Sequence, residues 1–224
     1  MNNSSTKILI AEWVPSLNKG ELAILIGMLK TFEIIGEREI YIFSLLPSID
    51  ERRYPKNIKI IDIKSDLHLG CSAKDLLEGS KPVKIRAYFL SIFQHFLFII
   101  LYKAFGKKVF KIMKSLIWKE YYESEVIIIC HDHVSCFAGF ILYLSPIYIT
   151  FIAKILHKPI VIYANGCSGY ENKISKILVS YVLNNVDLIT ARDEESFHNL
   201  EKFVWNKNRI RLSRYFYFII FNRI

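Results

Sequence analysis

Closely paired cysteines are missing from this 224-residue chain. Its four cysteines show no C-x-x-C spacing and have apolar neighbours, which predicts reduced and mostly buried thiols: Cys71, Cys130, Cys136 and Cys167. The G-x-S-x-G, Walker and G-x-G-x-x-G patterns are missing too, so nothing in the sequence supports a hydrolase, an NTPase or a dehydrogenase. No secretory signal is visible, because residues 1–6 are polar and the apolar run at residues 8–10 is too short. We therefore expect a cytoplasmic protein.

Positive charge is abundant, but it is not concentrated in one short block. The formal net charge is +9 at pH 7, from 30 Lys and Arg against 21 Asp and Glu. Basic and aromatic residues alternate between residues 81 and 119, where no helix-turn-helix, zinc-finger or RNP-like spacing is present. We therefore expect no nucleic-acid binding. Two interpretations of the segment stay open: a buried helix followed by a solvated basic one, or a helix that lies at an anionic membrane surface.

Short apolar runs that end in polar turns predict an α/β sheet. Six strands are predicted, at residues 7–14, 39–45, 58–63, 126–130, 160–164 and 186–190. Runs of β-branched and apolar residues such as 160–164 are typical of parallel strands that are buried on both faces. Apolar residues recur at helical spacing between the last two strands, at Ile174, Ile177, Leu178, Tyr181 and Val182. The predicted fold is a Rossmann-like parallel sheet with helices on both faces.

One long apolar segment raises the question of membrane spanning. Residues 134–153 carry no charge and are long enough to cross a bilayer, but Ser145 and Pro146 interrupt them. Strands are predicted directly before and after this segment, and a spanning helix would separate two neighbouring strands of one sheet. We therefore expect residues 134–156 to form a helix that is buried against the sheet.

Polar residues follow four predicted strands, at the edge where open α/β sheets bind ligands. The candidate substrate-binding residues are Asn18, Gly20, Glu21, His131, Asp132, Asn165, Gly166 and Arg192. Arg192 can grip a carboxylate or phosphate in two-pronged geometry, and an ion pair with one of the acidic residues at 193–195 is the alternative. Helices that begin after Gly20 and after Arg192 would point free backbone N–H groups at a common anion. Asp193 is expected to cap the second of these helices.

The histidines at 131 and 133, with Asp132 between them, follow the fourth predicted strand. Contact with a substrate and a purely structural turn are both open interpretations. Metal binding is disfavoured, because histidines two positions apart on an extended backbone point to opposite faces. We therefore predict no metal site, and no catalytic residue is identified.

Two segments resemble motifs of the polysaccharide pyruvyl transferase family. Residues 18–25, NKGELAIL, are similar to the family's N-x-G-D-E-A-I-L after a first strand, and residues 187–200 are similar to its D-x-I-T-x-R-D-x-x-S-x-x-x-L. This resemblance implies one Rossmann-like half of a two-domain, glycosyltransferase-B-like enzyme. The family commonly has a glycine-rich loop where this chain has His131 and Asp132, so the chain departs from the family pattern there.

The resemblance also implies an activity and its substrates. The enzyme would transfer the enolpyruvyl unit of phosphoenolpyruvate to two hydroxyls of a sugar in a cell-surface glycan, forming a pyruvate ketal and releasing phosphate. Phosphoenolpyruvate is the implied donor substrate, a sugar or lipid-linked glycan is the implied acceptor, and no cofactor is implied. Two alternatives stay open: a two-domain glycosyltransferase that uses a nucleotide-sugar, and a non-catalytic remnant that binds glycan or membrane.

The sequence pattern changes after Leu200. A glycine and a further strand are expected soon after Phe203, and neither is evident. We therefore predict a Rossmann-like amino-terminal domain at residues 1–203 and an atypical tail at residues 204–224, from a truncated or frame-shifted end. A true short terminal strand and a tail that touches the membrane are the alternatives. The implied second half would carry the catalytic acid and base, so this fragment can be inactive by itself. Its expected location is the cytoplasm, with the inner face of the membrane as an alternative.

Overall fold

The computed structural model describes residues 6–13, 19–35, 38–44, 47–62, 80–113, 115–130, 144–167 and 173–213. In these parts of the chain, seven strands form one sheet in which every neighbouring pair is parallel. The strands are β1 (Thr6–Trp13), β2 (Arg38–Ser44), β3 (Ile58–Asp62), β4 (Val126–Cys130), β5 (Ile160–Asn165), β6 (Leu188–Ala191) and β7 (Ile210–Leu212). Across the sheet they follow the order β3-β2-β1-β4-β5-β6-β7.

Helices cover both faces of the sheet. They are α1 (Lys19–Ile35), α2 (Pro47–Asp50), α3 (Lys81–Phe105), α4 (Val109–Ile112), α5 (Leu116–Glu123), α6 (Leu144–Ile155), α7 (Lys173–Asn185) and α8 (Glu194–Leu200), with 3-10 turns at Gly106–Lys108 and Lys207–Arg209. Alternate residues of β1 point to opposite sides, so Ile8 and Ile10 pack in the core under α1 while Leu9 packs in the core under α3, α5, α6 and α7. The chain adds β2 and β3 on one side of β1 and adds β5, β6 and β7 on the other side of β4. Because each crossover is right-handed, the helices of these two halves lie on opposite faces of the sheet. The predicted Rossmann-like α/β fold is confirmed.

All six predicted strands are present, with ends that differ by at most two residues. β7 is an additional strand that the sequence pattern did not indicate, and it pairs in parallel with β6. Arg209 anchors the chain just before it, because its guanidinium donates to the carbonyls of Asn184 at 3.0 Å and Val186 at 3.2 Å. The further strand that is expected after Phe203 is therefore present, although the sequence pattern did not make it evident. The assignment of residues 204–224 to a truncated tail stays a prediction, and residues 214–224 lie outside the described part of the chain.

The apolar segment before β5 contains a packed helix. α6 covers residues 144–155, and its Ile149, Ile152 and Ala153 are buried in the core. Of the helices that the structure describes, none is long and apolar enough to cross a membrane. The prediction of a helix buried against the sheet is therefore confirmed for residues 144–155, while residues 134–143 lie outside the described ranges.

Two of the four cysteines lie in the described residues. Cys130 ends β4 and Cys167 follows β5, and both are buried free thiols. The prediction of reduced, buried thiols is confirmed for these two, while Cys71 and Cys136 lie outside the described residues.

A buried aromatic cluster joins α3, α5 and α6. The indole N–H of Trp118 donates to Nδ1 of His95 at 3.2 Å, and the hydroxyl of Tyr148 lies 2.6 Å from the same nitrogen. Phe98 stacks on Trp118 with the ring centroids 3.7 Å apart. Burial lowers the pKa of His95 to about 4, so the ring is neutral near pH 7 and Nδ1 has a lone pair that accepts the indole N–H. The packing of these three helices therefore depends on an uncharged His95.

Ion pairs fasten β1 to the helix that leads into β4. Nζ of Lys7 lies 2.6 Å from Oε2 of Glu120 and 3.0 Å from Oε2 of Glu123, which is 116 residues away in sequence. Burial by itself would lower the pKa of Lys7, but the hydrogen bonds to the two carboxylates outweigh it and raise the pKa. The amine therefore stays charged, and it joins the two halves of the sheet at the point where β1 meets β4.

Candidate functional site

The carboxyl ends of β1, β4, β5 and β6 lie side by side at one edge of the sheet, because these strands are parallel neighbours. The chain first adds β2 and β3 on one side of β1 and then adds β5 to β7 on the other side of β4, so the direction reverses between β1 and β4. Crevices at such reversals are where open α/β sheets bind ligands. The four strands that precede the predicted site residues therefore all end at the edge expected for binding.

The described part of the chain contains five of the eight candidate residues. They lie in the first turn of α1, at the end of β5 or just after it, and just after β6: Gly20, Glu21, Asn165, Gly166 and Arg192. The other three lie outside the described residues: Asn18, His131 and Asp132. Substrate binding by these eight residues stays a prediction.

Asn165 is a fully buried polar residue at this edge. Its side chain is 0% exposed, and neither Oδ1 nor Nδ2 has a hydrogen-bond partner within the described ranges. Leaving a buried polar group unpaired costs about 1–3 kcal/mol, and native proteins retain few such groups. Its backbone carbonyl, by contrast, accepts the N–H of Arg192 at 3.1 Å. The amide is therefore held at the binding edge with hydrogen-bonding capacity that no described residue uses.

The backbone just before Asn165 is strained. Ala164 has a φ of 52°, in the left-handed region, which costs a residue with a Cβ about 1–2 kcal/mol. Its N–H donates to Oγ1 of Thr190 at 2.7 Å, and the register between β5 and β6 shifts between Ile162 and Asn165. Strained residues of this kind cluster at functional sites, where the surrounding structure holds them in place. A hydroxyl on β6 therefore stabilises the bend that sets the position of Asn165.

Other polar side chains from the segment at residues 187–200 fix β5 and the loop that follows it. Oδ2 of Asp187 accepts the N–H of Ile160 at 2.8 Å, at the start of β5. Beyond the end of β5, Oγ of Ser196 accepts the N–H of Cys167 at 2.9 Å, and Nδ2 of Asn199 donates to the Cys167 carbonyl at 2.8 Å. These side chains therefore have structural roles: Asp187 fixes the start of β5, and Ser196 and Asn199 hold the residues after β5 against α8.

The amino end of α8 is occupied by its own cap. Oδ1 of Asp193 accepts the N–H of Ser196 at 2.7 Å, which confirms the predicted capping. Hydrogen bonds from the side chain and the backbone of Ser196 lower the pKa of Asp193, so the cap is a carboxylate at neutral pH. The cap uses the N–H of Ser196, one of the four that a helix leaves unpaired at its amino end, so anion binding by the other N–H groups of this helix stays a prediction. The same expectation for α1 stays a prediction, because Asn18 lies outside the described residues.

Arg192 forms the ion pair that the sequence allowed as its alternative role. Its Nε lies 3.3 Å from Oδ2 of Asp193, and the two side chains are 50% and 47% exposed. An exposed pair of this kind stabilises a protein by only about 0–1 kcal/mol. The pair with Asp193 is therefore too weak to prevent the guanidinium from binding an anionic group of a ligand.

Comparison with protein families identifies the chain. The sequence profile described as polysaccharide pyruvyl transferase matches residues 18–213, which is most of the sequence. The chain belongs to the polysaccharide pyruvyl transferase family. The family match begins between β1 and α1 and ends just after β7. It therefore contains both segments on which the resemblance rests and the carboxyl ends of β4, β5 and β6. A search of curated proteins finds none that matches.

Two residues of this pyruvyl transferase family member were not predicted to shape the site. Thr190 stabilises the bend before Asn165, and Ser196 holds the loop after it. Both are hydroxyl residues in the segment around Arg192 that resembles the family motif. Their positions in that motif are the sequence signal that could have indicated them. In the described parts of the chain, no group of three His, Cys, Asp or Glu side chains could hold a metal ion.

Proposed function

We propose that this protein transfers pyruvate from phosphoenolpyruvate to a sugar of a cell-surface glycan, forming a ketal and releasing phosphate. Membership of the polysaccharide pyruvyl transferase family supports the reaction type. The buried, unpaired amide of Asn165 at the ligand-binding edge is the observation that carries the choice of site. Arg192 adds a cation beside it, because its backbone N–H binds the Asn165 carbonyl.

The proposed reaction has two stages. In the first, a sugar hydroxyl adds to C2 of phosphoenolpyruvate while C3 takes up a proton, so the methylene becomes a methyl group. In the second, a neighbouring hydroxyl replaces the phosphate at C2, and the hydroxyl proton is removed as phosphate leaves. The reaction therefore requires a cationic clamp for two anionic groups, an acid that protonates C3 and a base that accepts the hydroxyl protons.

Arg192 and Asn165 are suited to the binding part of this reaction. A guanidinium matches a carboxylate or a phosphate in two-pronged geometry, and the exposed pair with Asp193 is weak enough to be exchanged. Nδ2 of Asn165 can donate a hydrogen bond to a ligand oxygen, and Oδ1 can accept a hydrogen bond from a sugar hydroxyl. A ligand that makes these hydrogen bonds would remove the penalty of the unpaired amide, so the site gains affinity from a group that weakens the unliganded fold. The catalytic acid and base are not assigned to any residue.

The proposal is tested by measuring donor binding and turnover separately. Isothermal titration calorimetry with phosphoenolpyruvate and with nucleotide-sugars should detect binding of phosphoenolpyruvate only. Phosphate release from phosphoenolpyruvate should require an added glycan acceptor. Binding of a nucleotide-sugar in place of phosphoenolpyruvate would contradict the proposal and support a two-domain glycosyltransferase. Binding of glycan with no affinity for either donor would instead support a non-catalytic role.

A further inference from the structure

One face of α3 exposes large apolar side chains to solvent. Phe93, Phe96 and Ile100 are separated by three and four residues, so they lie on the same side of the helix. They are 59%, 61% and 48% exposed, whereas Phe98 on the other side is fully buried. We call these three exposed residues the α3 stripe. Adjacent exposed aromatic residues of this kind indicate an interaction surface, because isolated exposed apolar residues are ordinary but clusters are not.

Positive charge lies at both ends of the α3 stripe. Residues 81–119 contain no Asp or Glu, and their basic residues are Lys81, Lys84, Arg86, Lys103, Lys107, Lys108, Lys111, Lys114 and Lys119. Arg86 lies seven residues before Phe93 and Lys103 lies three residues after Ile100, so an exposed basic residue stands at each end of the stripe on the same face. The surface is therefore apolar in its centre and cationic at both ends.

We propose that the α3 stripe docks on the surface of a bilayer that contains anionic lipids. Helices with aromatic residues on one face and lysine or arginine beside them lie in the plane of such a surface, with the apolar face at the boundary of headgroups and acyl chains. The cationic ends of the stripe match the negative charge of the lipid headgroups. This contact requires no spanning segment.

A second copy of the chain fits the α3 stripe less well. Most homodimers are two-fold symmetric, so the same surface of each protomer meets its copy. Arg86 and Lys103 of one protomer would then approach equally basic residues of the other, and the segment at 81–119 contains no acidic residue to pair with them. Charge complementarity therefore favours the anionic membrane.

Membrane docking has a consequence for the proposed function. A protein held by the α3 stripe would be placed where lipid-linked glycans present their sugars. This consequence rests on the proposed function, whereas the docking itself does not. Vesicle binding is therefore measured without donor or acceptor, so that its failure and the failure of pyruvyl transfer can be distinguished.

The test is sedimentation of the protein with vesicles of phosphatidylcholine, either alone or mixed with phosphatidylglycerol. We expect binding to the mixed vesicles that weakens as salt is added, because salt screens the attraction. The double substitution Phe93→Ser with Phe96→Ser should lower the partition coefficient by about tenfold or more, since it removes most of the inserted apolar area. The matched control is Ile174→Ser with Ile177→Ser on α7, where the side chains are 57% and 67% exposed, and it should leave binding unchanged.

A second measurement reports contact with the acyl chains directly. Phe96→Trp should place an indole whose fluorescence is quenched by brominated lipids, and Ile177→Trp should not. The proposal is overturned by equal binding to neutral and mixed vesicles, or by equal losses in the two double variants. It is also overturned if the protein binds no vesicles. If the Phe93/Phe96 variant then converts a dimer into a monomer, a second copy covers the stripe.

Discussion

Replacing Asn165 by leucine removes a buried amide and keeps the branching of the side chain. The amide atoms have no partner among the described residues, so the substitution should relieve a penalty of about 1–3 kcal/mol. The larger methyl groups of leucine offset about 1 kcal/mol of this gain by crowding. We therefore expect the free energy of unfolding to rise by up to about 2 kcal/mol, which for a domain of this size raises Tm by up to about 8 °C.

The same substitution should abolish binding of phosphoenolpyruvate if the amide serves a ligand. Stability is measured by equilibrium unfolding in urea, with the m value compared between variants to show that the same surface is exposed. Affinity is measured by calorimetry on the same preparations. A variant that is more stable but does not bind would separate a functional polar group from a structural one, which is the pattern expected of binding residues.

Thr190→Val is the matched control for this prediction. It also replaces a buried polar side chain by an apolar one of similar shape, but Thr190 has a partner, because its hydroxyl accepts the N–H of Ala164 at 2.7 Å. We expect this variant to lose about 1–3 kcal/mol, since the N–H is left unpaired. If Asn165→Leu and the smaller Asn165→Ala both lose more than about 1 kcal/mol, the amide has protein partners and our reasoning about the site is refuted.

Three further predictions concern charged groups. Because burial holds the pKa of His95 at about 4 in the folded protein and the unfolded value is about 6.5, stability should be complete above pH 6.5 and fall as the pH drops towards 4. The loss is about 2 kcal/mol at pH 5, and urea unfolding should show that His95→Gln removes this dependence while the exposed control His198→Gln retains it. Arg192→Ala should weaken binding of phosphoenolpyruvate in calorimetry by about 1.5–3 kcal/mol. Unchanged affinity with an intact fold would show that Arg192 does not bind the ligand and has a structural role. Lys7→Met should lower the free energy of unfolding by about 3 kcal/mol, since it leaves the buried carboxylate of Glu120 unpaired, whereas Lys59→Met, which breaks a half-exposed pair, should have little effect; equal losses in urea would contradict this.

The strands could be predicted from the sequence because most of them are uninterrupted apolar runs. β4 is the simplest case, since all five of its residues are buried and apolar. β7 could not be predicted in the same way, because it has only three residues and one of them is Arg211. Its place in the sheet comes from pairing with β6 and from the contacts of Arg209 with the end of α7, and neither is a local property of the sequence.

Helical spacing located α7 correctly but did not reveal its buried face. The apolar pattern that predicted the helix includes Ile174 and Ile177, which the structure leaves 57% and 67% exposed. The helix packs instead through Val179, Val182 and Leu183. α7 has apolar residues on more than one side, so periodicity identifies a helix here without deciding which side faces the sheet.

The sequence predicted where the site residues lie better than it predicted what their side chains do. Parallel strands place Asn165 and Arg192 at one edge, and that follows from the order of strands and helices along the chain. The bend before Asn165 and the position of its unpaired amide depend on hydrogen bonds between segments 26 and 29 residues apart. The sequence does not encode that geometry in any spacing rule.

The order of the strands also determines when the ligand crevice can form during synthesis. β1 pairs with β2 and β2 pairs with β3, and these strands are close to one another in the chain. The other side of β1 pairs with β4, and the nearby ion pair of Lys7 with Glu123 joins residues 116 positions apart. At a translation rate of about 5–20 residues per second, the unpaired side of β1 waits on the order of ten seconds for its partner to emerge. An open, apolar strand edge in that interval is a template for wrong pairing. The crevice between β1 and β4 is therefore created by the least local step of folding, and a nascent chain has most need of a chaperone just before its binding edge exists.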